Sequence, residues 1–252
     1  MEQTQLIEYF DKSEKNQQLL RLFESKWNIV QKVRETYNKN KITNPDTNEK
    51  LNLVFHSSCI PQNYENMKYK ILVIGKNTNG WEFKKEAKKS MLSTLNFLNS
   101  TQHNDKLSFN FPYKFCKSIN NYNYQNIIKK TYFTWVSLRK FVFNEIHKLP
   151  LNKETQDIID NEFNILEEEI KIISPDIVLF LTGPNYDYYI QKQLNGVEFK
   201  EVANYQMGQF ARVEHEILPK NSFRIYQPDY FRFIKKGIYD EYLEKLKKEC
   251  GL

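Results

Sequence analysis

A run of four apolar residues, Ile71-Leu72-Val73-Ile74, stops abruptly in the polar, glycine-bracketed segment Gly75-Lys76-Asn77-Thr78-Asn79-Gly80-Trp81. An uninterrupted, β-branched run of this length suits a strand buried on both faces, the condition of a parallel sheet covered by helices. Ligands of such sheets bind where loops leave the carboxyl ends of the strands. Asn77, Asn79 and Trp81 therefore stand where chemistry is expected.

The pattern recurs along the chain. Tyr132-Phe133-Thr134-Trp135-Val136 reads as a second buried strand, Asp176 to Thr182 as the plainest, and Phe223 to Tyr226 as a short fourth. Helical spacing separates them, first through Ala87, Met91, Leu95 and Leu98 in a helix predicted from Phe83 to Leu98. Ile159, Phe163, Leu166, Ile170 and Ile173 form a stripe on one predicted helix, which Ser174-Pro175 stops. Another helix is predicted from about Tyr186 to Gln193, and the last carries Phe231, Ile234, Ile238, Tyr242 and Leu246. Residues 3 to 38 read as helical through Leu20, Phe23, Trp27, Val30 and Tyr37, and Leu53 to His56 as a short strand or extended arm. The Asn- and aromatic-rich stretch from Ser100 to Asn126 reads as a surface excursion with short helices. Val197 to Val202 and Gln209 to Glu216 suggest a peripheral hairpin.

Buried strands alternating with helices predict an α/β fold, a three-layer α/β/α sandwich with a mainly parallel four-stranded central sheet near 71–75, 131–136, 176–182 and 223–226. No Pro/Gly/Ser linker interrupts the chain and no repeat is visible. One domain over residues 1–252 is expected, with 1–52 as an N-terminal helical extension packed on it.

Composition narrows the function classes. The 18 Phe, 16 Tyr and 3 Trp supply large buried surfaces, while only 7 Gly and 8 Pro argue against a fibrous or disordered chain. No apolar stretch approaches the roughly 20 residues that span a bilayer. The start, MEQTQLIEYFDKSEK, lacks the apolar core of a signal peptide, so a cytoplasmic protein is expected. Cys59, Cys116 and Cys250 form neither a disulfide framework nor a metal pattern. A net charge of +6 permits a polyanionic partner without demanding one. Basic residues gather at Lys84-Lys85 and Lys88-Lys89, at Lys129-Lys130, and at Arg232, Lys235 and Lys236; charge runs of this kind are usually solvated faces.

Several chemistries are excluded by spacing. A phosphate-binding loop ending at Gly75-Lys76 needs Gly where Lys70 stands and Ser or Thr where Asn77 stands. Gly75 and Gly80 do not make a dinucleotide fingerprint, and no G-x-S-x-G elbow occurs. His56, His103, His147 and His215 are far apart, with no pair at metal-ligand spacing, so no metal and no cofactor is expected. Glu167-Glu168-Glu169 reads as a solvent-exposed face of its helix.

Three strand exits remain: Gly75 to Trp81, Trp135 to Lys140, and Tyr226 to Phe231. Together they resemble the uracil-DNA glycosylase superfamily, most closely a poorly characterised bacterial branch. That branch has a first motif like Gly-Gln-Glu-Thr-Asn-Gly-Trp and a last motif containing His-Pro. Ile74 to Trp81 matches the first, Pro175 to Pro184 a strand typical of the branch, and Arg224 to Tyr230 the last. The resemblance spans about Lys70 to Phe233. It implies DNA as partner, with a base swung out of the duplex and its bond to the sugar hydrolysed. By the same resemblance Asn77 orients the water through its amide carbonyl, and Trp81 stacks on the base, with Asn79 beside it. Ser137 stands where an Asn usually reads a pyrimidine edge, and Gln227 where a His usually donates to the departing base. Asn77 cannot act as a general base, so a slow, positioning-only reaction is implied.

A plainer reading of the same residues stands beside this one. Gly75 and Gly80 permit a tight turn, Asn79 caps the following helix and Trp81 belongs to the core. Two further functions fit the fold as well: a nucleic-acid or nucleotide binder that does not cut, or an interaction protein whose pocket is filled.

Overall fold

The computed structural model describes residues 3–40, 43–44, 47–48, 50–77, 83–99, 107–120, 133–143, 151–233 and 238–252, without the side chains of 77, 107–109, 143 and 231–233. Three N-terminal helices, α1 (Gln3–Lys12), α2 (Glu14–Ser25) and α3 (Trp27–Asn40), replace the single helical run read from the sequence. Ser13 causes the first break: its Oγ accepts from the Asn16 N–H and caps α2.

The strands are β1 (Leu53–Phe55), β2 (Ile71–Asn77), β3 (Thr134–Arg139), β4 (Phe141–Phe143), β5 (Ile177–Leu181), β6 (Glu198–Glu201), β7 (Phe210–Glu214) and β8 (Asn221–Ile225). Six of them form one sheet in the order β3-β2-β5-β8-β7-β6. The pairs β2–β3, β2–β5 and β5–β8 are parallel, while β7–β8 and β6–β7 are antiparallel. The predicted parallel quartet is present, but the sheet has six strands because the hairpin β6–β7 pairs onto β8 instead of standing apart. β1 and β4 form a separate antiparallel pair. Ile71 to Ile74 and Ile177 to Leu181 are almost completely buried, as continuous apolar runs require.

The remaining helices are α4 (Ala87–Asn99), α5 (Leu107–Asn120), α6 (Lys153–Glu162), α7 (Leu166–Ile173), α8 (Asp187–Gln193) and α9 (Ile238–Glu249). They cover both faces of the sheet. Tyr242 of α9 stacks on Phe210, whose ring meets Phe223, and Tyr239 carries α5 onto the same face through Phe111. On the opposite face Asp187, at the start of α8, receives Arg224 from β8 through two hydrogen bonds of 3.0 Å.

Three elements differ from expectation. The excursion from Ser100 contains a 14-residue helix, α5, despite Pro112 inside it. Phe111, Phe115 and Ile119 recur every four residues and bury one face, and this period outweighs the proline. The stripe from Ile159 to Ile173 is divided between α6 and α7, which break around Phe163. Ser174 then closes α7 in the left-handed conformation at φ 50°. Finally, α9 begins at Ile238, and Phe231 lies in a 3-10 turn (Pro228–Phe233) before it.

The N-terminal helices pack on later elements: α1 on α4, α2 on α4 and α7, α3 on α6. Asn16 donates to and accepts from Ile60, at 3.1 and 2.8 Å, and the Trp27 indole donates to the Lys85 carbonyl at 3.0 Å.

Candidate functional site

Among the four parallel strands, chain order runs second, first, third, fourth across the sheet, so the direction of winding reverses between β2 and β5. A crevice opens at such a switch point outside the carboxyl ends of the strands. Register fixes what borders it. Gly75 lies opposite Ser137 on one side and Leu181 on the other, and Leu181 lies opposite Ile225. Asn77 and Gln227 each stand two residues beyond that level and two strands apart, a separation on the order of 10 Å at ordinary strand spacing.

Asn77 is the last residue of β2, and its side chain lies outside the described residues. Asn79 and Trp81 also lie outside them. Ser137 sits inside β3, two residues before its end, and is fully buried. Its Oγ has no hydrogen-bond partner among the described residues. Gln227 follows β8 by two residues and is half-buried. Its Nε2 donates to Asp229 Oδ2 at 3.0 Å, and its carbonyl accepts from the Tyr230 N–H at 2.8 Å, closing a turn around Pro228.

Two glycines bring backbone and rings together at this edge. Gly75 lies within β2, not in a turn, and a Cβ there would overlap the Trp135 indole and come 2.8 Å from its Cε2. Trp135 thus leans over Gly75 from the neighbouring strand, the close approach that a strand glycine permits. Gly183 has φ +69°, and its N–H donates to the Ile225 carbonyl at 2.9 Å. A Cβ there would meet the Tyr226 ring at 3.0 Å, so the exits of β5 and β8 are locked side by side.

The rim carries cations against aromatic rings. Lys76 lies over Tyr186 and Arg139 over Tyr189, each 5.4 Å from the ring centre. The Tyr226 and Tyr230 rings lie 5.3 Å apart, tilted by 32°. Lys76, Trp135, Arg139, Tyr226, Asp229 and Tyr230 fell within the strand exits read from sequence but were given no role there, and Tyr186 and Tyr189 lay outside them.

A second polar cluster lies behind β3. Lys140 Nζ and Ser58 Oγ both donate to Glu169 Oε1 at 2.6 Å, with Lys140 5% and Glu169 0% exposed. Glu169 is therefore not on a solvated face as the Glu167-Glu168-Glu169 run suggested; it points inward from α7 while Glu167 pairs with Lys171 outside. Burial pushes the Lys140 ammonium below its ordinary range, partly opposed by Glu169. His56 is held well below its usual value by burial and by Lys140, and its backbone N–H donates to the Lys140 backbone carbonyl at 3.1 Å. The cluster ties the end of β3 to α7 and to the segment after β1.

The other sequence candidates are dispersed. His215 Nε2 lies 2.9 Å from the Asn195 carbonyl. Lys88 pairs with Asp11 and Lys89 with Glu86, so half of the first basic cluster is neutralised locally. Lys129-Lys130, Lys235-Lys236, His103 and His147 lie outside the described residues, as does the side chain of Arg232. No helix among the described residues is long and apolar enough to cross a membrane. No protein-family model and no curated protein matches the chain.

Proposed function

We propose that the chain is a uracil-DNA glycosylase-like protein that hydrolyses the N-glycosidic bond of a deaminated or modified base in DNA. The observation that carries this reading is the common edge of the sheet: the ends of β2 and β8 bring Asn77 and Gln227 to one level beside the switch point, with Ser137 two residues below that level in β3. On this reading Asn77 orients the attacking water through its amide oxygen. Gln227 has two amide N–H donors, one engaged by Asp229, and the other donates to the departing base. Trp81 and Asn79 contact the extruded base, and Ser137 contributes a hydroxyl from β3.

The Gln227–Asp229 bond favours a second reading as well. A carboxylate beside the leaving group opposes the growth of negative charge there. Such a pair suits weak cleavage or a degenerate protein that binds nucleic acid without cutting it. Release of free base from oligonucleotides carrying uracil, hypoxanthine or other altered bases separates the two. Release from any of them supports hydrolysis; DNA binding with no release from the whole panel replaces it with the binding reading.

A further inference from the structure

The segment that leaves β5 carries three tyrosines in four residues, Tyr186, Tyr188 and Tyr189, at the rim of the sheet's carboxyl edge. Their rings form a continuous set: Tyr189 lies 5.6 Å from both Tyr186 and Tyr188. Each ring also has its own cation: Lys76 for Tyr186, Arg139 for Tyr189, and Lys192 for Tyr188 at 5.1 Å. Tyr188 is 59% exposed, and across the Gly183–Tyr226 contact Tyr230 is 52% exposed with the Tyr226 ring tilted against it. Large aromatic groups this exposed are poorly used by folding alone.

Beside the tyrosines a cleft of about 200 Å³ opens between α6, α8 and the end of β3, lined by Arg139, Tyr189, Lys192, Gln156 and Asn161. Arg139 has no carboxylate within ion-pair distance among the described residues. The nearby acids are already engaged: Asp160 by Lys192 at 2.6 Å and Asp187 by Arg224. Lys192 and Asp160 offset each other, so the charge left over beside the rings in the cleft is that of Arg139. Unpaired bases stack on such rings irrespective of sequence, while the cations follow the phosphates. A duplex hides its base faces and cannot use the rings.

We propose that Tyr186, Tyr188 and Tyr189, with Arg139, form a platform that binds single-stranded DNA beside the crevice. This rests on the reading of DNA as the partner and adds that the strand is unpaired where it crosses α8. Lys76 adjoins Asn77 in the chain, so a strand on the platform runs past the crevice mouth.

Binding of fluorescein-labelled dT12 and of a 12-base-pair duplex, measured by anisotropy with the full chain, tests the platform. The expected result is tighter binding of dT12 than of the duplex. Tyr188→Ala should weaken dT12 by about tenfold, since stacking is worth about 1–3 kcal/mol per base, whereas Tyr188→Phe should bind as the parent does. Arg139→Ala should lower the slope of log affinity against log salt by about 0.7. Tyr188→Ala binding dT12 as the parent does, or duplex and dT12 bound equally by all variants, overturns the platform. Base release with no effect of these variants also rejects the platform but leaves the glycosylase reading in place. Loss of dT12 binding in Tyr188→Ala without base release from any substrate keeps the platform and rejects hydrolysis.

Discussion

Gln227 and Asp229 face each other across a turn closed at Pro228. If Gln227 serves the leaving base, its weakness is that an amide carries no charge and its neighbour carries the wrong one. Gln227→His should raise base release, because an imidazole held by Asp229 donates more strongly to a departing anion. Initial rates with the best substrate of the panel check this; a fall instead of a rise means that Gln227 is fitted to a base with another donor–acceptor pattern. At Lys140 and Glu169 the issue is burial. Lys140→Ala strands a carboxylate in the interior and should cost about 3–5 kcal/mol in urea unfolding, whereas Lys140→Met with Glu169→Leu should cost less than half of that. His56 gives a pH signature. The unfolded residue takes its proton near the ordinary value of 6.5, but the folded one, buried beside Lys140, stays neutral far below it. The unfolded chain then binds more protons as pH falls, so this contribution is intact above 6.5 and is lost progressively beneath it. Stability between pH 6 and 5 should fall with a slope up to ~1.4 kcal/mol per pH unit steeper than in His56→Gln.

At the scale of elements, β2 shows both what sequence conveys and what it omits. Ile71 to Ile74 announced a doubly buried strand, and Ile177 to Leu181 did the same, because continuous apolar runs have few other destinations. The role of Gly75 was not legible, since it depends on Trp135, some 60 residues later, leaning over it from β3. Gly75→Ala should therefore destabilise the protein by about 1–3 kcal/mol through overpacking. The loss should shrink in a Trp135→Leu background, as thermal unfolding of the two single variants and the double variant would show; equal losses in both backgrounds would deny the contact. The burial of Glu169 was hidden for a related reason. Its partner Lys140 and its donor Ser58 come from separate elements, and nothing local in Glu167-Glu168-Glu169 distinguishes the inward residue except its i−3 and i+4 relation to the buried Leu166 and Ile173. The hairpin β6–β7 was legible as a hairpin, but its pairing onto β8 was not, because edge-to-edge pairing leaves no periodic mark.

Across the whole molecule, the N-terminal helices cover α4, α6 and α7, and the sheet carries its unpaired loops at one edge. Parallel topology brings the backbone at Asn77 and Gln227, 150 residues apart in the chain, to one end of the sheet, with Ser137 buried two residues below and the tyrosine-bearing start of α8 at the rim. That the parallel strands end at one edge was legible from the strand exits; the aromatic rim was not, because its cations come from β2, β3 and α8 separately. The proposed hydrolysis at this edge depends on a water held by Asn77. The most direct measurement compares base release by the parent and by Asn77→Ala at saturating enzyme, with DNA affinity followed in parallel. The expected result is release by the parent, a loss of at least about tenfold in Asn77→Ala as the positioned water is lost, and affinity within about twofold of the parent. Equal release by the two proteins, or none by the parent from any altered base, would contradict it.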